Sequence, residues 1–374
     1  MTRLSTAASL PALLVVVMAV SASQFQTVAG GESGTVTTNE APEAVDRQAL
    51  ARIERVPLGL PTVPIPADNP PTAAKIRLGR SLFLDQRLSS GGDLSCATCH
   101  QPEEGFTAND TRTAVGNHGK ILRRNSPSLF NVAFAAPFFH DGRQSELDLQ
   151  PLEVLVDPEE MAFPSLDAAV ARVKSLPEYE TLFEETFEGP PSAQRIGRAL
   201  GSYLRTLLSA ESPFDRWYFG GETDAVAPAA KRGFFLFFGD AGCVECHRIT
   251  QKAALFTDHA FHNTGVARAG SDLGRYEVTR DPLHRWQFKT PILRNVALTG
   301  PYMHNGSLPT LSELVDFYNG GGFPHEGTDP RLQPLGLSEQ EKADLVEFLE
   351  SLTGDNVAEL IRDARSEQVG KVAD

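Results

Sequence analysis

Four cysteines are the most reactive side chains in the sequence, and they fall in two copies of one pattern: Cys96-Ala97-Thr98-Cys99-His100 and Cys243-Val244-Glu245-Cys246-His247. C-x-x-C-H is the attachment signature of a c-type haem. Two thiols three residues apart can each form a thioether to one porphyrin, and the His that follows can sit beneath the iron as its proximal ligand. A structural zinc site or a C-x-x-C redox pair is the competing reading. A zinc pair, however, has no need of a His directly after the second Cys in both copies. The pattern predicts two covalent haem c groups on Cys96, Cys99, Cys243 and Cys246, with His100 and His247 as iron ligands.

These motifs must be held by helices. A helix is expected from Pro71-Thr72 to Asp85, with Ile76, Leu78, Leu82 and Phe83 on its apolar side, just before the first motif. The stretch Ala229 to Asp240 repeats it loosely before the second: Ala-Lys, then Gly, then an aromatic run and Asp. Further amphipathic helices are expected at Ser165 to Leu176, Gln194 to Ser209 and Ser338 to Leu352, the last opened by a Ser338/Glu341 capping box. Ser126 to Ala136 reads as a short, helical apolar stretch. Strand alternation is absent apart from one short hairpin expected near Phe256 to Val266. The fold class is therefore mainly α: two cytochrome c-like helical domains, each around one covalently bound haem c. Their expected bounds are 58–218 and 219–356, with the boundary inside Ser212 to Ala227. Residues 24–57 read as a flexible leader with a short helix near its end, and 357–374 as a charged tail that frays.

Haem is attached to C-x-x-C-H outside the bacterial cytoplasm, and the N-terminus agrees with export. Thr2-Arg3 supplies positive charge, Leu10 to Val20 an apolar run, and Val20-Ser21-Ala22 or Ser21-Ala22-Ser23 a small-residue cleavage site. Residues 1–23 read as a signal peptide and the mature chain as periplasmic. A retained anchor is the alternative, although the run is shorter than the roughly 20 residues of a spanning helix. With every Cys used by haem, no disulfide is expected even in an oxidising compartment. Lys plus Arg is 34 and Asp plus Glu is 48, so the net charge is −14. That argues against non-specific nucleic-acid binding. It suits a partner with a basic face, or serves solubility alone.

The order of motifs resembles the bacterial di-haem cytochrome c peroxidase family, which includes the MauG-type enzymes. The matching stretches are Leu78-Gly79-Arg80 to Asp85, both C-x-x-C-H motifs, Arg124-Asn125-Ser126-Pro127, Asp141-Gly142-Arg143 and Glu160-Met161. They continue through Phe261-His262-Asn263-Thr264-Gly265, Phe288-Lys289-Thr290-Pro291, Leu293-Arg294-Asn295-Val296, Pro301-Tyr302-Met303-His304-Asn305-Gly306 and Phe317-Tyr318. The resemblance implies that the first haem is the peroxide site and the second passes electrons. It places Glu160 as the distal carboxylate and Gln150 as its neighbouring amide. A carboxylate buried over haem would have a raised pKa and could move a proton between the peroxide oxygens. By the residues alone, Glu160 would read as a solvated side chain of Asp157-Pro158-Glu159-Glu160.

Four more positions follow from the same resemblance. His118 lies close to the place of a loop His that blocks the first iron at rest in the peroxidases; an exposed loop His is the alternative. Tyr318, fourteen residues after His304, stands where MauG-type enzymes have a Tyr ligand to the second iron and the peroxidases have Met. A phenolate oxygen lowers the potential of that iron, whereas a Met ligand raises it. Met303 is the other candidate ligand. His140 stands where the family usually has a Trp between the haems, and imidazole is a poorer hole carrier than indole. Asn125, Thr299 and Pro301 match the family's calcium site, where an amide oxygen and two backbone carbonyls suit Ca²⁺. The leading expectation is a di-haem peroxidase that reduces hydrogen peroxide with electrons from a small cytochrome c or cupredoxin. The alternatives are a MauG-type enzyme oxidising Trp or Tyr side chains of a protein partner, and a non-catalytic electron-transfer cytochrome. Family members are often homodimers.

Overall fold

The computed structural model describes residues 42–267, 272–325 and 327–367, so the expected signal peptide and most of the expected leader lie outside the described residues. In chain order the α-helices are α1 (Pro42–Glu54), α2 (Ala73–Leu84), α3 (Cys96–Cys99), α4 (Gln150–Val156), α5 (Leu166–Lys174), α6 (Pro177–Phe187), α7 (Ala193–Leu204), α8 (Pro213–Tyr218), α9 (Pro228–Phe238), α10 (Tyr276–Thr279), α11 (Leu311–Asn319), α12 (Glu339–Glu350) and α13 (Val357–Ala364). Two two-residue strands, β1 (Phe261–His262) and β2 (Phe288–Lys289), pair antiparallel with Phe261 opposite Lys289. The fold is mainly helical.

Helix α2 begins where the Thr72 hydroxyl accepts the Lys75 N–H at 3.2 Å. It buries Ile76, Leu78, Leu82 and Phe83 against α7, whose buried side carries Ile196, Leu200, Tyr203 and Leu204. The crossing is close because Gly79 has no side chain: a Cβ there would run into the Ala199 carbonyl oxygen. Helices α9 and α12 pair in the same way, with Gly233 under the carbonyl of Asp344. Each attachment motif thus follows a helix seated by a glycine on its closing helix. Buried apolar side chains gather in two clusters, one running from Ala49 to Ala210 and the other from Phe214 to Leu352.

Several expectations are corrected. The leader reading fails at α1, which buries Val45, Ala49 and Ile53 and pairs its Asp46 with the buried Arg80. The tail reading fails at α13, where Leu360 and Ala364 share one face and join the first cluster. Arg52 of α1 pairs with Glu359 and Asp363 of α13, so opposite ends of the chain clasp the first core together. The hairpin is not local, because β1 pairs with a strand more than twenty residues onward. In Ser126 to Ala136 only Val132–Phe134 is helical, as one 3₁₀ turn. Helices α6 and α8 carry no expectation from the periodicity.

A second internal repeat emerges beyond the one before the motifs. Asn125 to Gly142 and Lys289 to Gly306 correspond without a gap, since 289 − 125 = 306 − 142 = 164, and share Pro, Leu, Asn, Val, Ala, Pro, His and Gly. Both copies place Asn131 or Asn295, Phe139 or Met303, and Gly142 or Gly306 at positive φ. Both carry a 3₁₀ turn, Val132–Phe134 or Val296–Leu298. The copies exchange hydrogen bonds: Asn125 N–H donates to the His304 carbonyl at 2.7 Å, and its counterpart Lys289 N–H to the His140 carbonyl at 2.9 Å.

Candidate active site

Helix α3 places Cys96 and Cys99 one turn apart, on one face. His100 follows, with its ring Nδ1 3.0 Å from the Phe106 carbonyl oxygen. A nitrogen facing a carbonyl carries the proton, so Nε2 keeps its lone pair for a metal. The second motif repeats this: His247 Nδ1 lies 2.8 Å from the carbonyl of Phe256. Both Phe residues take positive φ (55° and 56°) and are fully buried, which fixes the carbonyls under the imidazoles. Burial pulls the His100 ring down to about 4 and lowers His247 too, so both imidazoles are neutral at neutral pH. None of the four cysteines forms a disulfide. Cys96 borders an apolar cavity lined also by Leu82, Leu88, Leu155, Met161 and Phe163. Paired thiols, a buried imidazole with one free nitrogen and an apolar wall fit a covalent haem.

Glu160 follows α4, on a turn fixed by Glu160 N–H to the Asp157 carbonyl at 3.1 Å and Ala162 N–H to the same oxygen at 2.9 Å. Its carboxyl lies near enough to act electrostatically on the Cys96 and Cys99 thiols, so it faces the first motif. Burial pushes its pKa up to about 7, helped by the charges of Asp157 and Glu159 and opposed by Arg143. Gln150 is the first residue of α4, and among the described residues no hydrogen bond joins it to Glu160. His118 is exposed, on a turn with φ 53°. That turn is tied to the same segment by Asn117 N–H to the Glu159 carbonyl at 2.8 Å.

Tyr318, on α11, is turned toward the second motif: burial raises the phenol pKa, and the Cys243 and Cys246 sulfurs push it the same way. Met303 stands instead in the turn that holds Gly306, at φ 74°. His140 is half-buried, with Nε2 2.9 Å from the Asn125 carbonyl oxygen. His304, its repeat counterpart, stacks on Phe288 with ring centroids 3.6 Å apart and planes 7° from parallel. Arg124 packs over the same Phe288 ring and pairs with Asp141 at 2.6 Å and Asp272 at 2.7 Å.

Asn125 brings the expected calcium ligands together in part. Its Nδ2 lies 2.5 Å from the Pro301 carbonyl oxygen, while Oδ1 is buried without a hydrogen-bond partner. An orphaned buried acceptor beside a carbonyl suits a hard cation. Thr299 lies two residues before Pro301, at the end of the 3₁₀ turn. The Phe106 and Phe256 carbonyls escaped the sequence reading, although each motif is followed by Phe-Thr whose Thr hydroxyl donates to the carbonyl before a Pro: Thr107 to Ser126, Thr257 to Thr290.

A helical chain that presents two C-x-x-C-H motifs, with a carboxyl over one and a phenol near the other, defines a c-type haem oxidoreductase. The family model "Di-haem cytochrome c peroxidase" matches residues 73–224. The methylamine utilization protein MauG of Methylorubrum extorquens is 41% identical over 330 residues, covering 87% of this chain and 90% of that protein. The cytochrome-c peroxidase IdrP1 of Denitromonas iodatirespirans is 37% identical, covering 79% and 86%. A crystal structure of a MauG-like protein associated with microbial copper homeostasis superposes with a TM-score of 0.72 at 33% identity, covering 81% and 95%. The chain belongs to the di-haem cytochrome c peroxidase family. It is an oxidoreductase with peroxidase chemistry, and the family implies two haem c groups. The non-catalytic reading is set aside.

Proposed function

We propose that the chain is exported to the periplasm and reduces hydrogen peroxide at the haem of the first domain, with electrons entering through the haem of the second. Haem iron supplies the Lewis-acid and redox centre for cleaving the O–O bond. Glu160 would accept the proton from one peroxide oxygen and return it to the other, so that water can leave, and Gln150 would orient the peroxide. Overall, H₂O₂ gains two electrons and two protons and becomes two waters. The observation that carries this reading is a carboxyl held near neutrality beside the first motif. Among the described residues no helix is long and apolar enough to cross a membrane. A net charge of −14 suits a small basic electron carrier. Ca²⁺ on Asn125 Oδ1 and the Thr299 and Pro301 carbonyls would pin the two halves together.

Tyr318 favours a second reading, in which the reductant is a Trp or Tyr of a docked protein. A phenolate on the second iron lowers its potential and disfavours electron entry from an ordinary carrier. Stopped-flow spectroscopy separates the two. Catalytic peroxide consumption with reduced cytochrome c supports the small carrier. An optical change that persists with peroxide alone, without turnover of the cytochrome, supports the protein substrate. No response to peroxide in any redox state overturns both.

A further inference from the structure

The two copies of the repeat, offset by 164 residues, use one seat in two ways. Asn125 and Lys289 are counterparts, as are Ala135 and Thr299, and Pro137 and Pro301 (299 − 135 = 301 − 137 = 164). The main-chain N–H of both Asn125 and Lys289 crosses to the opposite copy's His. Their side chains cross as well. Asn125 sets its amide against the Pro301 carbonyl and leaves Oδ1 buried and unpartnered. Lys289 carries its ammonium to the carbonyl of Ala135, the counterpart of Thr299.

We propose that the Lys289 ammonium is a tethered cation in the repeat's counterpart of the calcium seat, so that one copy takes a metal ion and the other supplies its own charge. This rests on the calcium reading above. Each side chain meets a carbonyl of the turn that ends at residue 137 or 301: Lys289 that of Ala135, Asn125 that of Pro301. Such dipoles suit a hard divalent ion. They equally suit an ammonium, which is a compact point charge with three donors. An amide side chain at the seat contributes an oxygen and leaves room for an ion; a lysine fills that room. Among the described residues no carboxylate is paired with the Lys289 ammonium, and burial lowers its pKa to about 8. Its compensation therefore comes from a neutral carbonyl, that of Ala135, as an ion in the other seat would take it from the Pro301 carbonyl.

Exchanging the side chains should exchange the metal requirement. Calcium per chain, measured by atomic emission on dialysed holoprotein, and the melting temperature with and without chelator are compared for wild type, Asn125→Lys, Lys289→Asn and Lys289→Met. Wild type is expected to hold one calcium and to lose melting temperature in chelator. Asn125→Lys should hold none, keep both haems and ignore chelator. Lys289→Asn should gain a second, weaker calcium that restores its melting temperature, whereas Lys289→Met should melt lower and stay there when calcium is added. Calcium retained by Asn125→Lys, or calcium rescue of Lys289→Met equal to that of Lys289→Asn, overturns the tethered-cation assignment alone. Absence of calcium from the wild type overturns the calcium reading and this inference with it. Should Asn125→Lys fail to load haem, the two Lys289 variants decide.

Discussion

His140 commits its ring to the backbone of Asn125, with Nε2 2.9 Å from the carbonyl oxygen. Burial pulls the imidazole down to about 4, so at neutral pH it is uncharged and Nε2 carries the donated proton. The side chain is a fixed donor to this carbonyl. His140→Ala leaves the half-buried Asn125 carbonyl without this donor, and we expect a loss of about 1–3 kcal/mol in guanidinium melts. His140→Trp should lose the same hydrogen bond yet speed electron exchange between the haems in half-reduced protein. An unchanged exchange rate in a folded His140→Trp would mean that this seat is not on the electron path.

Glu160 gives the pH dependence its sign. With a pKa raised to about 7, the carboxyl is half-ionised near neutrality, and only the ionised form can accept the peroxide proton. The rate of reaction with peroxide should therefore rise with pH and level off above about 7. Glu160→Gln should lower that rate by roughly 10²–10⁴-fold and flatten the profile. Asp157→Asn removes the largest charge that raises the Glu160 pKa, so its profile should shift toward acid. Turnover of Glu160→Gln at the wild-type rate would take the residue out of the mechanism.

Tyr318 faces the sulfurs of the second motif from α11. If its oxygen closes that iron, Tyr318→Met should raise the potential of one haem while the other stays put. Low-temperature EPR would show the changed ligand field, and a redox titration the shift. Identical spectra for Tyr318→Phe and wild type would leave the phenol as a core aromatic.

Both attachment motifs could be read from sequence because covalent chemistry imposes fixed spacing on four Cys and two His. The glycine-seated helix before each motif was also legible, since burial at α2 leaves a helical period. Glu160 and Tyr318 were legible only through the resemblance, as each comes from an element far along the chain and neither has a local signature. Helix α13 was hidden by its charge, because Arg362, Asp363 and Arg365 mask the spacing of Leu360 and Ala364. The pairing of Asn125 with Lys289 was hidden by chemistry: counterparts in fold, they share neither size nor charge. Only the fixed offset of the surrounding Pro, Asn, His and Gly residues reveals them.

The glycine seats tie each helix crossing to one haem, and this can be tested one half at a time. At Gly79 a Cβ would collide with the Ala199 carbonyl oxygen, and at Gly233 with that of Asp344. A backbone oxygen within a helix cannot swing aside, so α2 or α9 must lift away. Overpacking of this kind costs about 1–3 kcal/mol. The displaced residues differ. Lifting α2 moves Leu82, which lines the cavity beside Cys96. Lifting α9 moves Phe237, whose ring packs beside His247 with centroids 6.3 Å apart. Gly79→Ala should therefore perturb the spectrum of the first haem and Gly233→Ala that of the second, each with a lowered melting temperature. Resonance Raman of the half-reduced protein distinguishes the two haems. If both variants disturbed both haems alike, the helix pairs would be acting as one rigid body and not as separate supports.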